Sequence, residues 1–331
     1  MSLLNGLLHI TNFRSPLLRA IVPCVAAAFA IQGAVAVPSI IAQSERFFDV
    51  SGSVTYLAVG ALSLFLPALR ARAATAAEGA TNLPALPSLL DAFKGNGVGD
   101  AALNWRQVAL TGLVMLWATR LGTYLFHRIL KTGEDSRFEK IRSKPARFTR
   151  PFIFQAIWVS LQLMPVLALN AVAPSILASA LPQLAATDAL GLAVWFSGFT
   201  FEVVADVQRS KWKTEQKLKL HDEEFMASGL FSKCRFPHYF GEITLWTGVA
   251  TTAASVLARK PIQQALGYSG GPLGILATTA LSFVSPAFVT LLLTKVSGVP
   301  LSDRKYDRLY GDRKEYQEWK KNTPTLIPKL W

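Results

Sequence analysis

The sequence predicts an all-α, polytopic membrane protein with about seven transmembrane helices, its N-terminus outside or lumenal and its C-terminus cytosolic. Of its 331 residues, 51% are hydrophobic and 17% are charged, and the mean hydropathy is +0.32. Soluble domains usually carry about 25% charged residues, so this balance places the chain in the membrane class. Seven apolar runs, and basic residues concentrated in a few segments between them, support the same prediction.

The apolar runs each approach the ~20 residues that a helix needs to cross the hydrocarbon core. In the first run, Ser15 is the predicted N-cap and Pro16 the first helical residue. Prolines inside the runs do not exclude helices, because neighbouring groups in a membrane bundle can satisfy the freed carbonyls. Residues 73–104, rich in Ala, Gly, Pro and Asn, are predicted to form a loop with little structure of its own. The predicted spans are roughly 17–43, 52–69, 106–127, 151–169, 188–206, 240–258 and 273–296.

Three segments carry most of the positive charge: residues 131–150, 207–236 and 303–331 hold 22 of the 34 lysines and arginines. They follow the third, fifth and seventh spans and therefore share one side of the membrane. The segments predicted on the other side hold six basic residues, so the positive-inside rule makes the basic side cytosolic. These charges have two interpretations. They are topology signals that also contact lipid headgroups, or they converge on a polyanion such as the phosphates of a dinucleotide.

Several classes of site are disfavoured. The net charge of +13 is compatible with nucleic acid, but the apolar runs leave little soluble domain to read a DNA groove, so no nucleic-acid partner is predicted. Cys24 and Cys234 lie far apart and outside any CxxC or Cys/His spacing, so neither a disulfide framework nor a metal site is predicted. The Ser-His-Asp order, the P-loop, HExxH and a GxGxxG after a strand are absent, so a dinucleotide would have to bind without a Rossmann domain.

The stretch from Arg235 to Glu242, which reads Arg-Phe-Pro-His-Tyr-Phe-Gly-Glu, is the most informative part of the chain. It places an imidazole, a phenol and a carboxylate in the first turn of an apolar helix, which we interpret as a small-molecule site at the cytosolic surface. Glu242 also has a simpler explanation, because the helix dipole stabilises a carboxylate at a helix N-terminus. Tyr239 is of a type common in interfacial belts, and Gly241 would allow a ligand or another backbone to approach closely.

Glu202 and Asp206 lie four residues apart on one face of the fifth span, near its cytosolic end. A carboxylate within or at the edge of a membrane helix is a candidate functional group. The alternative is that both carboxylates pair with Arg209 or Lys213, or simply reach water.

The C-terminal tail alternates charged and aromatic residues. Arg304, Tyr306 and Tyr310 suit stacking on a purine and contact with phosphates. The alternative is an amphipathic interfacial helix with aromatic anchors.

Seven short motifs are spread over the second part of the chain. They are Trp117 with Arg120-Leu121-Gly122, Glu134-Asp135-Ser136-Arg137-Phe138, Ala205-Asp206, Gly229-Leu230-Phe231, Pro237-His238-Tyr239-Phe240-Gly241-Glu242, Val296-Ser297-Gly298-Val299-Pro300-Leu301 and Leu326-Ile327-Pro328. Together they resemble the steroid 5-alpha-reductase superfamily, and in particular its uncharacterised branch, known as a domain of unknown function. Many members of that branch read Arg-His-Pro-Asn-Tyr, whereas this chain has Phe236 and His238 at the second and fourth positions.

The resemblance runs from about residue 105 to 328. We therefore divide the chain into residues 1–104, two transmembrane helices with a polar loop, and residues 105–331, the catalytic and cofactor-binding region.

The resemblance implies a seven-helix membrane reductase whose cofactor, NADPH, is held by cytosolic loops and helix ends. Hydride would pass to the β-carbon of an enone while an acidic group polarises the carbonyl oxygen and protonates the α-carbon. Tyr124 and Glu202 are the candidate catalytic residues, with Tyr56 as a second choice for the tyrosine. The candidate cofactor-binding residues are Asp206, Lys213, Arg235, His238, Tyr239, Gly241 and Glu242, with Arg304, Tyr306 and Tyr310 closing the site from the tail.

Three functions follow as hypotheses. The first is an NADPH-dependent reductase of a carbon–carbon double bond in a lipid, such as a sterol, a polyprenol or an enoyl lipid, in the endoplasmic reticulum if the source is eukaryotic. The second is an S-adenosylmethionine-dependent membrane methyltransferase of the isoprenylcysteine carboxyl type, which shares the Arg-x-Pro-x-Tyr turn. The third is a non-catalytic, lipid-binding membrane protein.

Overall fold

The computed structural model describes residues 3–80, 82–94, 103–135 and 137–329, and throughout these ranges the regular structure is helical, with no strand. Six helices are long and apolar enough to cross a membrane. The prediction of an all-α, polytopic membrane protein is therefore confirmed.

Each of the seven predicted spans falls on a helix. The thirteen α-helices within the described ranges are α1 Leu3–Ile10, α2 Pro16–Ile41, α3 Phe48–Ala77, α4 Leu89–Lys94, α5 Trp105–Thr132, α6 Pro145–Asn170, α7 Pro174–Ala180, α8 Ala186–Lys217, α9 Pro237–Leu257, α10 Lys260–Ala265, α11 Pro272–Leu291, α12 Gly298–Tyr310 and α13 Lys314–Asn322. A 3-10 turn, Gly229–Ser232, precedes α9, and a π-helical turn, Leu292–Val296, joins α11 to α12.

Some boundaries differ from the sequence predictions. The loop predicted over 73–104 is wrong in part, because α3 continues to Ala77 and α4 forms within it; residues 81 and 95–102 lie outside the described residues. Helix α8 runs eleven residues beyond the predicted end at 206. The prediction followed the apolar run, and the residues after it are polar but continue the same helix. Helix α9 is not among the six candidate spans, since five threonine and serine residues dilute its apolar sequence.

Local sequence explains where the helices begin. Ser15 occupies the predicted N-cap position of α2, but its side chain makes no capping bond; Pro16 and the extended backbone of Ser15 set the start instead. Helix α5 begins with a capping box: the Asn104 side chain accepts a bond from the Arg106 N–H, and the Gln107 side chain accepts one from the Asn104 N–H.

The chain forms two compact units. The first comprises residues 1–185 and 253–284, and its centre is built from α2, α3, α5 and α6. Tyr56 lies at this centre, 1% exposed, with its ring edge-on to those of Trp117 and Trp158 and its hydroxyl bonded to Gln162. Further buried polar side chains join the helices, including the hydrogen bond from Gln32 to Thr55. Such bonds help to specify helix packing where hydrocarbon offers no competing water.

Within the first unit, the basic segment after α5 is held by acidic partners. Arg128 and Arg137 both pair with Asp49 and Asp135, at 2.7 to 3.3 Å. Arg142 pairs with Glu45 and Glu134 in the same way. Partial burial by itself would raise the pKa of Asp135. The hydrogen bonds and positive charges of Arg137 and Arg128 outweigh this effect, so the pKa is lowered overall. These arginines therefore organise the turn between α5 and α6. Ser136, part of the quoted motif, lies outside the described residues.

The second unit comprises residues 186–252 and 285–331. Its central contact is between α8 and α9, which approach through two glycines on each helix, spaced seven residues apart. A Cβ on Gly198 would lie 2.5 Å from the Leu245 nitrogen and 2.7 Å from the Gly241 carbonyl oxygen, and one on Gly248 would lie 2.6 Å from the Gly191 carbonyl oxygen. Backbone meets backbone along this contact, as is common where membrane helices pack through small residues.

Candidate functional site

A cleft in the second unit is lined by three cationic side chains and a set of rings, with no carboxylate. The space between these side chains is about 460 Å³, open solvent included. Two of the cations lie near the end of α8, and the third, Arg235, lies two residues before α9. The rings come from α8, from residues 225–238 and from the tail. The lining residues are Arg209, Trp212, Lys213, Phe225, Met226, Phe231, Arg235, Phe236, His238, Tyr306, Tyr316 and Trp319.

The tail is bonded to the segment that leads into α9. The Arg235 and Phe236 backbone N–H groups donate to the carbonyls of Pro324 and Thr325, at 2.8 and 3.1 Å. The Arg235 guanidinium donates to the Asp303 carboxylate at 2.6 Å and to the Thr325 hydroxyl at 2.7 Å. Trp319 donates to the Phe231 carbonyl at 3.2 Å. Arg235 thus has a structural duty that the sequence did not indicate: it secures the tail beside the cleft.

His238 lies partly buried in the cleft wall. Burial and the positive charges of Arg209 and Lys213 hold its pKa well below 6.5, so the imidazole is neutral at physiological pH. Its Nδ1 atom is buried and has no hydrogen-bond partner in the described part of the chain. A neutral ring with an unused nitrogen is equipped to accept or donate one hydrogen bond.

Tyr239 turns away from the cleft and into protein. Its ring stacks on Phe236 with 5.6 Å between centroids and lies 4.1 Å from the His238 ring. Burial raises the pKa of Tyr239, and its hydroxyl bonds with Ser302. A Cβ on Gly298 would come within 3.0 Å of the Tyr239 ring, so this glycine makes room for it. Phe236 is 3% exposed and forms part of the cleft wall.

Gly241 and Glu202 belong to the helix contact rather than to the cleft. A Cβ on Gly241 would lie 2.6 Å from the Glu202 nitrogen. The sequence suggested that Gly241 admits either a ligand or another backbone, and here it admits the backbone of α8. Glu202 is 4% exposed at this contact. Asp206 and Glu242 are half-buried and have partners within the described residues, and neither lines the cleft.

Of the three candidate residues in the tail, one lines the cleft and two do not. Tyr306 lines the cleft, and Tyr310 stacks on it with 6.0 Å between ring centroids. Tyr310 also lies 5.8 Å from Phe225, so it supports the cleft wall from behind. Arg304 is exposed and does not line the cleft.

The two candidate tyrosines of the first unit have different environments. Tyr124 is 39% exposed on the surface of α5. Tyr56 is buried and bonded to Gln162, as described above. Neither residue lines the cleft of the second unit.

Sequence reasoning missed several residues that the structure brings together. Trp212 and Phe225 line the cleft although they belong to no quoted motif. Arg209 was considered as a partner for carboxylates, yet no carboxylate pairs with it in the described ranges, and it lines the cleft instead. The seven-residue spacing of glycines in α8 and α9 was a readable signal of close helix packing. The aromatic residues of the cleft had no such signal, because they are brought together by the fold.

Comparisons with known proteins add a family assignment. A family model described as "Protein of unknown function (DUF1295)" matches residues 84–267 and 273–323, well over half of the chain. No curated protein shows a significant match to the chain. No solved structure does so either.

Proposed function

The chain belongs to this family of unknown function, and we propose that it is a membrane-embedded, NADPH-dependent reductase of the steroid 5-alpha-reductase type, acting on a carbon–carbon double bond of a lipid. The observation that carries the proposal is the cleft around His238, where Arg209, Lys213 and the Asp303-paired Arg235 meet a wall of aromatic rings and none of the described lining residues is a carboxylate. A polyanion with an aromatic base has the complementary chemistry. The apolar helices bring such a site to a membrane, where a lipid substrate is found.

The residues of the cleft fit the phosphate-bearing part of NADPH. Arg209 and Lys213 would face its phosphates, where charge-assisted hydrogen bonds are the strong ones. Arg235 contributes charge, although its terminal nitrogens are already bonded to the tail. The rings of Trp212 and Tyr306 would stack on or shield the adenine, which attracts aromatic faces. The buried Nδ1 of His238 is an unused polar group that a bound nucleotide would satisfy.

In this proposal the protein binds, orients and protects the reactants. NADPH, when bound, supplies the hydride. The tail holds the cleft together through Arg235 and Trp319 and so limits the access of water. The thiol of Cys234 is not a candidate nucleophile, because burial raises its pKa to about 11.

The electrostatics of the cleft favour NADPH over S-adenosylmethionine. The methyl donor carries a sulfonium cation and no phosphate, so Arg209, Lys213 and Arg235 would repel its charged centre. A site for that cofactor would be expected to offer a carboxylate, and none lines this cleft.

Thermal unfolding of the purified full-length protein with each cofactor tests the proposal. NADPH should raise the melting temperature, because a ligand that binds only the folded state stabilises it, and the effect should weaken at high salt. Arg209→Gln and Lys213→Gln should each weaken NADPH binding about tenfold or more, since hydrogen bonds to charged groups contribute about 1.5–3 kcal/mol.

Lys211→Gln is the matched control, because Lys211 lies on the same helix, 74% exposed and paired with Glu215, outside the cleft. Its NADPH affinity should equal that of the wild type. A rise in melting temperature with S-adenosylmethionine alone would favour the methyltransferase. No response to either cofactor would favour the non-catalytic, lipid-binding alternative. In cells that lack the protein, the unsaturated lipid that accumulates would identify the substrate.

A further inference from the structure

A second cavity lies in the first unit, between residues of five helices, α2, α3, α6, α7 and α10. It encloses about 850 Å³, open solvent included. Its walls are mostly apolar and come from the start of α2, the second half of α3, the segment 170–176 and the end of α10. Among the described residues, two charged groups line it, the guanidinium groups of Arg19 and Arg70. The charge distribution of the sequence assigns these helix ends to the outer or lumenal side.

Arg70 is fixed in the cavity wall. Its terminal nitrogens donate to the carbonyls of Leu8, Thr11 and Arg19 at 2.7 to 3.0 Å. Carbonyl groups hold the guanidinium in place but leave its positive charge without a counter-ion. The Nε atom of Arg70 is buried and has no hydrogen-bond partner among the described residues.

Arg19 adds a second, more accessible positive charge. Its side chain is exposed, and its Nε donates to the Phe13 carbonyl at 2.9 Å. Neither Arg19 nor Arg70 forms an ion pair with a carboxylate in the described ranges, and no carboxylate lines the cavity. Two neighbouring cations beside an apolar wall are complementary to an anion attached to an apolar chain.

Asn170 provides a third, independent sign of a ligand. The side chain is 2% exposed and lines the cavity. Its amide nitrogen donates to the Ser63 hydroxyl at 2.9 Å, and that hydroxyl in turn donates to the Gly60 carbonyl. This chain of donors determines which way the amide faces. The Asn170 Oδ1 is therefore a buried acceptor without a partner in the described part of the chain, and such groups are rare unless something occupies the site.

We propose that this cavity binds an anionic amphiphile, with its phosphate at Arg19 and Arg70, a headgroup hydroxyl at the Asn170 Oδ1 and an acyl chain along the apolar walls. Phosphate suits paired guanidinium groups, the hydroxyl supplies the donor that Asn170 lacks, and the wall residues Leu66, Val172 and Ile176 bury hydrocarbon. The site is independent of the proposed reductase activity. It would couple the stability of the first unit to the composition of the surrounding lipid.

Native mass spectrometry and thermal unfolding of the full-length protein in a neutral detergent test the proposal. Dioleoylphosphatidylglycerol should bind with one copy per protein and raise the melting temperature. Dioleoylphosphatidylcholine should do neither at the same concentration. Inorganic phosphate alone should have at least tenfold lower affinity, because it lacks the apolar chain.

The variants avoid Arg70 and Asn170, whose bonds join helices. Arg19→Gln should weaken phosphatidylglycerol binding about tenfold, and Ala265→Phe, which fills the cavity without changing its charge, should weaken it to a similar extent. Arg259→Gln is the control, because Arg259 is exposed in the same unit and outside the cavity. Unchanged melting temperatures without lipid would show that the variants are folded.

Three results would overturn the proposal. Equal effects of the two phospholipids would mean that no anionic headgroup is recognised. An equal effect of inorganic phosphate would mean a free-anion site. If the Arg19→Gln and Ala265→Phe variants both bound phosphatidylglycerol with the affinity of the wild type, the lipid would have to bind elsewhere.

Discussion

His238 and its neighbours show how one turn combines structural and chemical duties. Arg235 holds the tail through Asp303, while Phe236 packs against Tyr239 and forms part of the cleft wall. Two nitrogens of this turn, the Arg235 Nε and the His238 Nδ1, are buried without a hydrogen-bond partner among the described residues. Of the two, only the neutral imidazole can act as an acceptor as well as a donor. At the residue scale, Phe236 contributes an apolar wall, and His238 contributes a neutral polar group that can hydrogen-bond in the cleft.

The protonation of His238 should appear as a dependence of stability on pH. Its pKa in the folded protein lies well below 6.5, mainly because burial disfavours the charged form. Below pH 6.5 the unfolded chain therefore binds a proton that the folded protein does not. Stability from this group is complete above pH 6.5 and is lost as the pH falls, by up to about 1.4 kcal/mol per pH unit.

Thermal unfolding between pH 8 and pH 5 checks this prediction. His238→Gln should show a flatter dependence than the wild type, because the variant has no group at 238 to protonate. His221→Gln is a suitable control, since His221 stacks on Trp212 outside the turn. A pH dependence that is the same in the His238→Gln variant and the wild type would contradict the assignment.

At the element scale, the contact between α8 and α9 determines where the cleft residues lie. Four glycines let the two backbones touch, and the contact places the end of α8, with Arg209 and Lys213, beside the first turn of α9. Any added methyl group along this contact would separate the helices. The cleft depends on glycines that do not line it.

Gly198→Ala tests this dependence. The new Cβ would lie 2.5 Å from the Leu245 nitrogen, and because backbone cannot move aside as a flexible side chain does, we expect a loss of about 1–3 kcal/mol. The thermal midpoint should fall, and NADPH binding should weaken with it. Gly112→Ala is the control, because a Cβ there meets nothing within 4 Å, and alanine in a helix is favoured over glycine by about 0.5–1 kcal/mol. Equal midpoints for the two variants would argue against the tight contact.

At the scale of the whole molecule, contacts of the tail bear on membrane topology. Helix α9 is less apolar than the six candidate spans. Yet residues 233–236 before α9 and residues 303–329 after α11 are joined by backbone hydrogen bonds and by the Arg235–Asp303 pair. Segments in contact lie on one side of a membrane, so an even number of crossings separates them. Since α11 is one crossing, α9 is expected to be the other, which makes seven spans in all.

Labelling with a membrane-impermeant thiol reagent checks the predicted topology. The native Cys24 and Cys234 are buried, which keeps their background low. Ser269→Cys, at an exposed position between α10 and α11, should react in intact cells. Asp222→Cys, exposed after α8, should react only after the membrane is permeabilised. Reaction of both variants from the same side would show that α9 does not cross.

The sequence by itself determined the membrane class, the helical fold and the predicted orientation, because apolar length and charge distribution are local properties that the bilayer selects directly. It also identified the turn around His238 as a candidate site. Only the tertiary structure decided which residues share the cleft. It joined Arg209, Phe225 and Trp319 from distant segments, and it assigned Gly241 to helix packing. It also showed the partners of Arg137 and the unsatisfied oxygen of Asn170. These relations depend on which side chains meet across helices, and no periodicity along a single chain encodes them.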